Sequence, residues 1–212
     1  MRLLFWDVDT QVDFMDPGGK LYVPGAEKII PNIQRLNQWA ASHQILVVSS
    51  TDAHQPSDPE FRDYPPHCLT GTAGQQKVPG TVLAKHLVMP NRKSELPAEL
   101  ESYQQIIVEK QALDVFTNPN IETLLGKLGK DREIILYGVV TEICVDRAAR
   151  GLMSRGYKVN VVEDAIRHLE EEKGRATVDN VRRHGGGVMR TEEFVKSVSW
   201  ERQHRDSSLR SE

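Results

Sequence analysis

The stretch Glu133-Ile134-Ile135-Leu136-Tyr137-Gly138-Val139-Val140-Thr141-Glu142-Ile143-Cys144-Val145-Asp146 begins as an apolar run of strand length. Past Gly138 it turns into a helical pattern that continues to Arg155. A strand feeding a helix is the repeating unit of a parallel sheet covered on both faces, whose strands read as continuous apolar runs. Working outward, similar runs lie at 2–9, 45–50, 105–109 and 158–162, with a short sixth candidate at 187–190. Helices fit between them at 25–42, 120–128, 142–155, 170–183 and 192–198. In the first, Ile29, Ile30, Ile33, Leu36 and Ala40 share one face at helical spacing, which should pack on the sheet. Gly129 and Gly156 stand where C-caps belong. The expectation is a three-layer α/β/α, Rossmann-like fold with a mainly parallel sheet of about six strands.

Of the 212 residues, 39% are apolar and 27% charged, which is ordinary globular usage and sets aside disorder and collagen-like repeats. The length suits a single domain over 1–200, followed by a polar tail at 201–212. A formal charge of −3 argues against a nucleic-acid or anionic-membrane partner. No apolar run reaches the ~20 residues that span a bilayer, and Asp7 and Asp9 interrupt the opening Leu3-Leu4-Phe5-Trp6, so neither signal peptide nor anchor is expected. With only Cys68 and Cys144, a reducing cytoplasm is the expected setting. The segment 51–97 is rich in Pro and Gly and reads as one long loop, a feature uncommon unless functional.

In open parallel sheets, ligands bind beyond the carboxyl ends of the strands. Asp9 closes the first expected strand, Asp52 and Lys110 follow the next two, and Cys144 lies past the fourth. Asp164 follows the fifth and reads as a turn or cap residue. If Thr141 is an N-cap, Cys144 occupies the third helical position, where unpaired N–H groups favour a thiolate and can bind an oxyanion. Taken alone, Cys144 equally suits a small buried hydrophobe beside Ala148, Ala149 and Gly151. Its proton needs an acceptor; Asp9 serves if the fold brings it close, with Lys110 holding the charge pattern together.

Thr51-Asp52-Ala53-His54 and Pro65-Pro66-His67-Cys68 form a second constellation. Asp52 and His54 can converge on one ion, and His67 completes a face with open positions. Glu60 is a candidate fourth ligand. Such donors admit zinc first, with iron or manganese as alternatives. His43, His86, His168, His184 and His204 lack partners at ligand spacing.

Together these pieces resemble the isochorismatase-like cysteine hydrolases, and most nearly their metal-containing nicotinamidase branch. The resemblance runs from Asp7 to about Phe194. It rests on Asp9-Thr10-Gln11-Val12-Asp13-Phe14, on Gly18-Gly19-Lys20-Leu21, on the two metal segments with Gly71-Thr72-Ala73-Gly74, and on Lys110 and 138–145. Val12 stands where the family has Asn, and 111–116 differs from the Tyr/Ser-rich stretch of many nicotinamidases. The resemblance implies Asp9 as general base and later acid, Lys110 as electrostatic support and Cys144 as nucleophile. It implies a cis Val139–Val140 peptide, with the N–H groups of Val140 and Cys144 as oxyanion donors. It also implies a divalent metal on Asp52, His54 and His67, extended in some members to the position of Glu60. Phe14, Tyr64 and Val139 take the substrate-binding positions. The expected activity is hydrolysis of nicotinamide to nicotinate and ammonia through a cysteine thioester, feeding NAD salvage in a homo-oligomer. The alternative is a related amidase acting on another small carboxamide.

Overall fold

The computed structural model describes residues 2–196. Its centre is a sheet of seven strands: β1 (Arg2–Val8), β2 (Val47–Asp52), β3 (His86–Met89), β4 (Gln105–Lys110), β5 (Arg132–Val139), β6 (Lys158–Arg167) and β7 (Val188–Met189). They lie in the order β3-β4-β2-β1-β5-β6-β7, and every pairing is parallel. The α-helices are α1 (Val12–Met15), α2 (Ile30–Ser42), α3 (Ile121–Leu128), α4 (Asp146–Ser154) and α5 (Glu171–Arg183). Alternation along β1 makes the layers. Leu4, Trp6 and Val8 join a core with Leu124 of α3, Leu152 of α4 and Val181 of α5, whereas Phe5 faces Ile33, Leu36 and Trp39 of α2. Phe5 stacks on Trp39 at 5.8 Å and meets Tyr137 and Phe194 edge-on. Each such buried side chain contributes roughly 1.5–3 kcal/mol.

Where the structure departs from the sequence reading, the causes are local. The seventh strand, β3, lies inside the expected 51–97 loop; it is an edge strand with only Met89 buried, so its backbone pairing leaves no apolar run to read. β2 and β4 end at Asp52 and Lys110 themselves, which places these residues on the rigid sheet. β6 continues to Arg167, so Asp164 is a strand residue; its Oδ1 accepts 2.8 Å hydrogen bonds from Thr191 N and Oγ1 at the start of a helical turn over 191–196. The rest of the expected 192–198 helix and the 201–212 tail lie outside the described residues. A 3₁₀ turn, Ala26–Ile29, precedes α2, whose first turn takes Pro31 because the missing N–H has no partner there anyway.

The chain runs from β1 to β2, out to β3 and β4, then returns to β5 on the far side of β1. Beyond the carboxyl ends of β1, β2, β4 and β5 this reversal leaves a crevice. The β2–β4 register makes Asp52 and Lys110 direct neighbours, while Val8 lies between Ser50 and Gly138. Among the described residues, no helix is long and apolar enough to cross a membrane.

Candidate active site

Three side chains from three strand ends meet in the crevice. Lys110 Nζ lies 3.0 Å from Asp9 Oδ2 and 3.9 Å from Cys144 Sγ, and it also contacts Asp52 Oδ1. Asp9 and Lys110 are each 1% exposed and Cys144 7%. Asp9 sits just past β1 with φ 49°, a left-handed conformation that Asp tolerates better than most residues, and Ser50 Oγ donates to its Oδ1 at 2.6 Å. Lys110 approaches Oδ2 obliquely, so among the described residues that oxygen accepts no hydrogen bond of regular geometry. It is left available to take a proton.

Cys144 lies on a single π turn, Thr141–Val145, that leads into α4. Val140, and not Thr141, is the N-cap residue, and the buried Thr141 hydroxyl finds no partner among the described residues. The Val139–Val140 peptide is cis. Burial pushes the Cys144 thiol well above its ordinary pKa; the Lys110 charge opposes this, while Asp9 and Asp52 reinforce it. Desolvation, opposed by the Lys110 charge, is the largest influence on the sulfur, and it runs against the thiolate-favouring effect expected of a helix start. Burial likewise raises Asp9, with Lys110 pulling it back and Asp52 adding to the rise. For Lys110 the loss of solvation is overcome by Asp52, Asp9 and Cys144, and its ammonium is held well above the usual lysine pKa. Asp9 Oδ2 and Cys144 Sγ thus flank one buried ammonium, that of Lys110.

Next to these lie four donor atoms. His54 Nε2 is 3.8 Å from both Asp52 Oδ2 and Glu60 Oε1, and His67 Nε2 is 3.7 Å from each. These separations are too long for hydrogen bonds. They approach the roughly 3.4 Å between tetrahedral neighbours on a zinc with bonds of about 2.1 Å. His67 Nδ1 lies 2.8 Å from Pro65 O, a pure acceptor, so Nδ1 carries the proton and Nε2 presents a lone pair. His54 Nδ1 lies 3.0 Å from Asp58 Oδ2, and its Nε2 is buried with no partner among the described residues. Outer hydrogen bonds of this kind orient metal-binding imidazoles. Burial acts to raise Asp52, but the Lys110 charge and the nearby imidazoles prevail and hold it well below the usual carboxylate range. Asp52, His54 and His67, all buried, are the described group that fits a metal ion, and Glu60 adds a fourth donor, its carboxylate oxygen.

A cleft opens beside both groups, with Asp52, Glu60, His67 and Cys144 in its lining. Phe14 and Tyr64 line it, and Phe14 lies 5.3 Å from the His67 ring. Val139 does not: it is fully buried in the core cluster with Phe5 and Tyr137, because the strand alternation turns it away from the cleft. Val140 and Ile143 supply that wall instead, with Leu21, Tyr22, Val23, Leu113 and Leu169.

The isochorismatase domain profile matches residues 3–193. The chain belongs to the isochorismatase family. The nicotinamidase of Escherichia coli strain K12 is 29% identical over 76% of this chain and 80% of its own length. The ureidoacrylate amidohydrolase RutB of Rhizobium rhizogenes is 25% identical, covering 91% of this chain and 81% of the relative. The pyrazinamidase of Pyrococcus horikoshii, solved in complex with zinc, superposes with a TM-score of 0.72 at 24% identity, over 90% of this chain and 99% of that one, and so shares the fold. The resemblance read from the sequence is borne out at the level of the family.

Other residues of this isochorismatase domain hold the site without touching its centre. The Gln11 side chain accepts from Asp52 N at 2.6 Å and donates to Asp52 O at 2.8 Å and to Gln75 O at 2.7 Å, fixing the end of β2 against the loop. Asp13 accepts from Cys68 N at 2.7 Å and Lys20 N at 3.0 Å, steadying the backbone next to His67. Gly74 is required there, since a Cβ would lie 2.1 Å from Asp13 Oδ2. Behind Asp9, Lys77 Nζ bridges Asp7 Oδ2 at 2.9 Å and Thr10 Oγ1 at 2.5 Å in a buried pair. Gln11 and Asp13 stand in the opening motif, but their partners Asp52, Gln75 and Cys68 lie dozens of residues away, so only the fold reveals their work.

Proposed function

We propose that the chain is a cysteine-dependent amidohydrolase that converts nicotinamide to nicotinate and ammonia. The observation that carries the reading is the meeting of Asp9, Lys110 and Cys144 beside a four-donor cluster at the base of one cleft. Kinship with the Escherichia coli nicotinamidase supports the choice of substrate. Asp9 takes the Cys144 proton, and the thiolate attacks the carboxamide carbon. The N–H groups of Val140 and Cys144 hold the tetrahedral oxyanion, while Lys110 keeps Asp9 and the sulfur in place. Asp9 returns the proton to the nitrogen, ammonia leaves, and a thioester remains. Asp9 next takes a proton from water; hydroxide adds to the thioester, and the acid departs as the sulfur regains its proton.

Asp52, His54, His67 and Glu60 would hold a divalent metal, zinc before iron or manganese. When bound it would supply a Lewis-acidic anchor for the pyridine nitrogen, orienting the carboxamide. The zinc of the Pyrococcus horikoshii pyrazinamidase supports that reading. The test is incubation of the purified protein with nicotinamide and a panel of small carboxamides, with ammonia as readout. Nicotinamide should turn over with kcat/KM of about 10⁴ M⁻¹s⁻¹ or more. Turnover of other carboxamides alone would refute the substrate, and no turnover of any would refute the mechanism.

A further inference from the structure

The cleft divides by chemistry. Its base holds charge, but the carboxylates there, Asp52 and Glu60, belong to the donor cluster, and Lys110 behind them is already engaged by Asp9 and Asp52. The rest of its lining is mainly apolar, with Leu21, Leu113, Ile143 and Leu169 among it beside the rings of Phe14, Tyr22 and Tyr64. Among the described residues that line the cleft there is no lysine or arginine, so a substrate carboxylate turned away from the donor cluster and laid against the leucines would be desolvated with no side-chain counter-ion.

Leu169 is the singular member of that wall. It is 51% exposed, the most exposed large apolar side chain among the described residues, although it sits in the short connection between β6 and α5, where polar residues are usual. Its place is fixed from the nucleophile's own turn. Glu142 Oε1 accepts from Leu169 N at 2.9 Å and from Glu170 N at 2.7 Å, and Glu142 lies two residues before Cys144. An exposed leucine tied to the reactive turn gains its apolar contact when a ligand covers it.

The geometry points to Leu169 as a specificity-determining residue, held by Glu142 as a positioning residue, that selects uncharged amides with an apolar body over amides carrying a carboxylate. This rests on the amidohydrolase reading and narrows it. The discrimination is by omission of a counter-charge together with a leucine collar at the mouth. It sets this chain apart from relatives named for an anionic amide, such as the ureidoacrylate amidohydrolase.

Binding is read by calorimetry on Cys144→Ala, which frees the test from turnover. The probes are nicotinamide, 5-methylnicotinamide and 5-carboxynicotinamide, the methyl compound serving as the control for size. The carboxylate analogue should bind about thirtyfold or more weaker than the methyl analogue. Leu169→Ala should weaken the methyl analogue about fivefold, and Leu169→Arg should narrow or reverse the gap between methyl and carboxylate. Glu142→Ala should reproduce the effect of Leu169→Ala, and Glu142→Gln, which keeps the acceptor oxygen, should restore tight binding. Equal affinity for the methyl and carboxylate analogues, or a gap unmoved by Leu169→Arg, would overturn the inference. Selective binding of the methyl analogue by a protein whose parent releases no ammonia from nicotinamide would sink the nicotinamidase reading and leave this one standing.

Discussion

Asp52 serves two centres with one carboxylate: Oδ1 contacts Lys110, its neighbour across the β2–β4 ladder, while Oδ2 faces His54 and His67 at 3.8 and 3.7 Å. The Lys110 contact and the imidazole cluster are thereby joined through one side chain. Asp52→Ala should accordingly strike both, abolishing metal uptake and stranding half of the buried Lys110 charge. The expected cost is about 3–5 kcal/mol of folding stability. Urea denaturation and metal analysis of the same preparation check it; loss of metal with stability unchanged would show that Asp9 alone satisfies Lys110.

Cys144→Ala should eliminate ammonia release while leaving the fold intact, since it removes a single sulfur atom from the edge of the core where Cys144 borders the cleft. Circular dichroism and an ammonia assay settle the matter. Any retained turnover would remove the sulfur from the mechanism.

The pH dependence follows from Asp9. Burial raises its pKa despite the Lys110 charge, and a base must be ionised to act, so kcat/KM should fall on the acid side at a pH above the ordinary carboxylate range. Lys110→Met removes the counter-charge and should move that limb further upward. The stability linkage has the corresponding sign: a raised carboxyl contributes stability below its unfolded pKa and loses it as pH rises through the folded value. An acid limb at or below the ordinary range would show that Asp9 is not the titrating base.

Asp58 never meets the donor cluster directly, yet it fixes the tautomer of His54 through a 3.0 Å contact. Asp58→Ala should reduce metal affinity by about 10–100-fold with the fold preserved. Competition with a chromogenic chelator measures this, and an unchanged affinity would mean that the imidazole is oriented by packing alone.

The parallel architecture and the residues at its strand ends were legible because buried strands are written as apolar runs and strand ends as abrupt polar residues, as at Asp9, Asp52 and Lys110. β3 was hidden because an edge strand with one buried residue satisfies its backbone without an apolar pattern. Val139 was misplaced because alternation, and not adjacency to Val140, decides which side chain meets the cleft. The wall residues Leu113 and Leu169 carry no motif; they matter through three-dimensional neighbours that a linear reading does not supply.

The wider turn at Thr141–Val145 has a consequence for how this fold tolerates change. Five residues complete a loop of backbone where α4 spends fewer, which allows the sulfur to face the cleft while Val145 stays rooted in the core. Excising one residue there would regularise the winding and swing the thiol by about 100° around the axis. Such a shortened chain could preserve every layer of the sandwich and still be chemically mute.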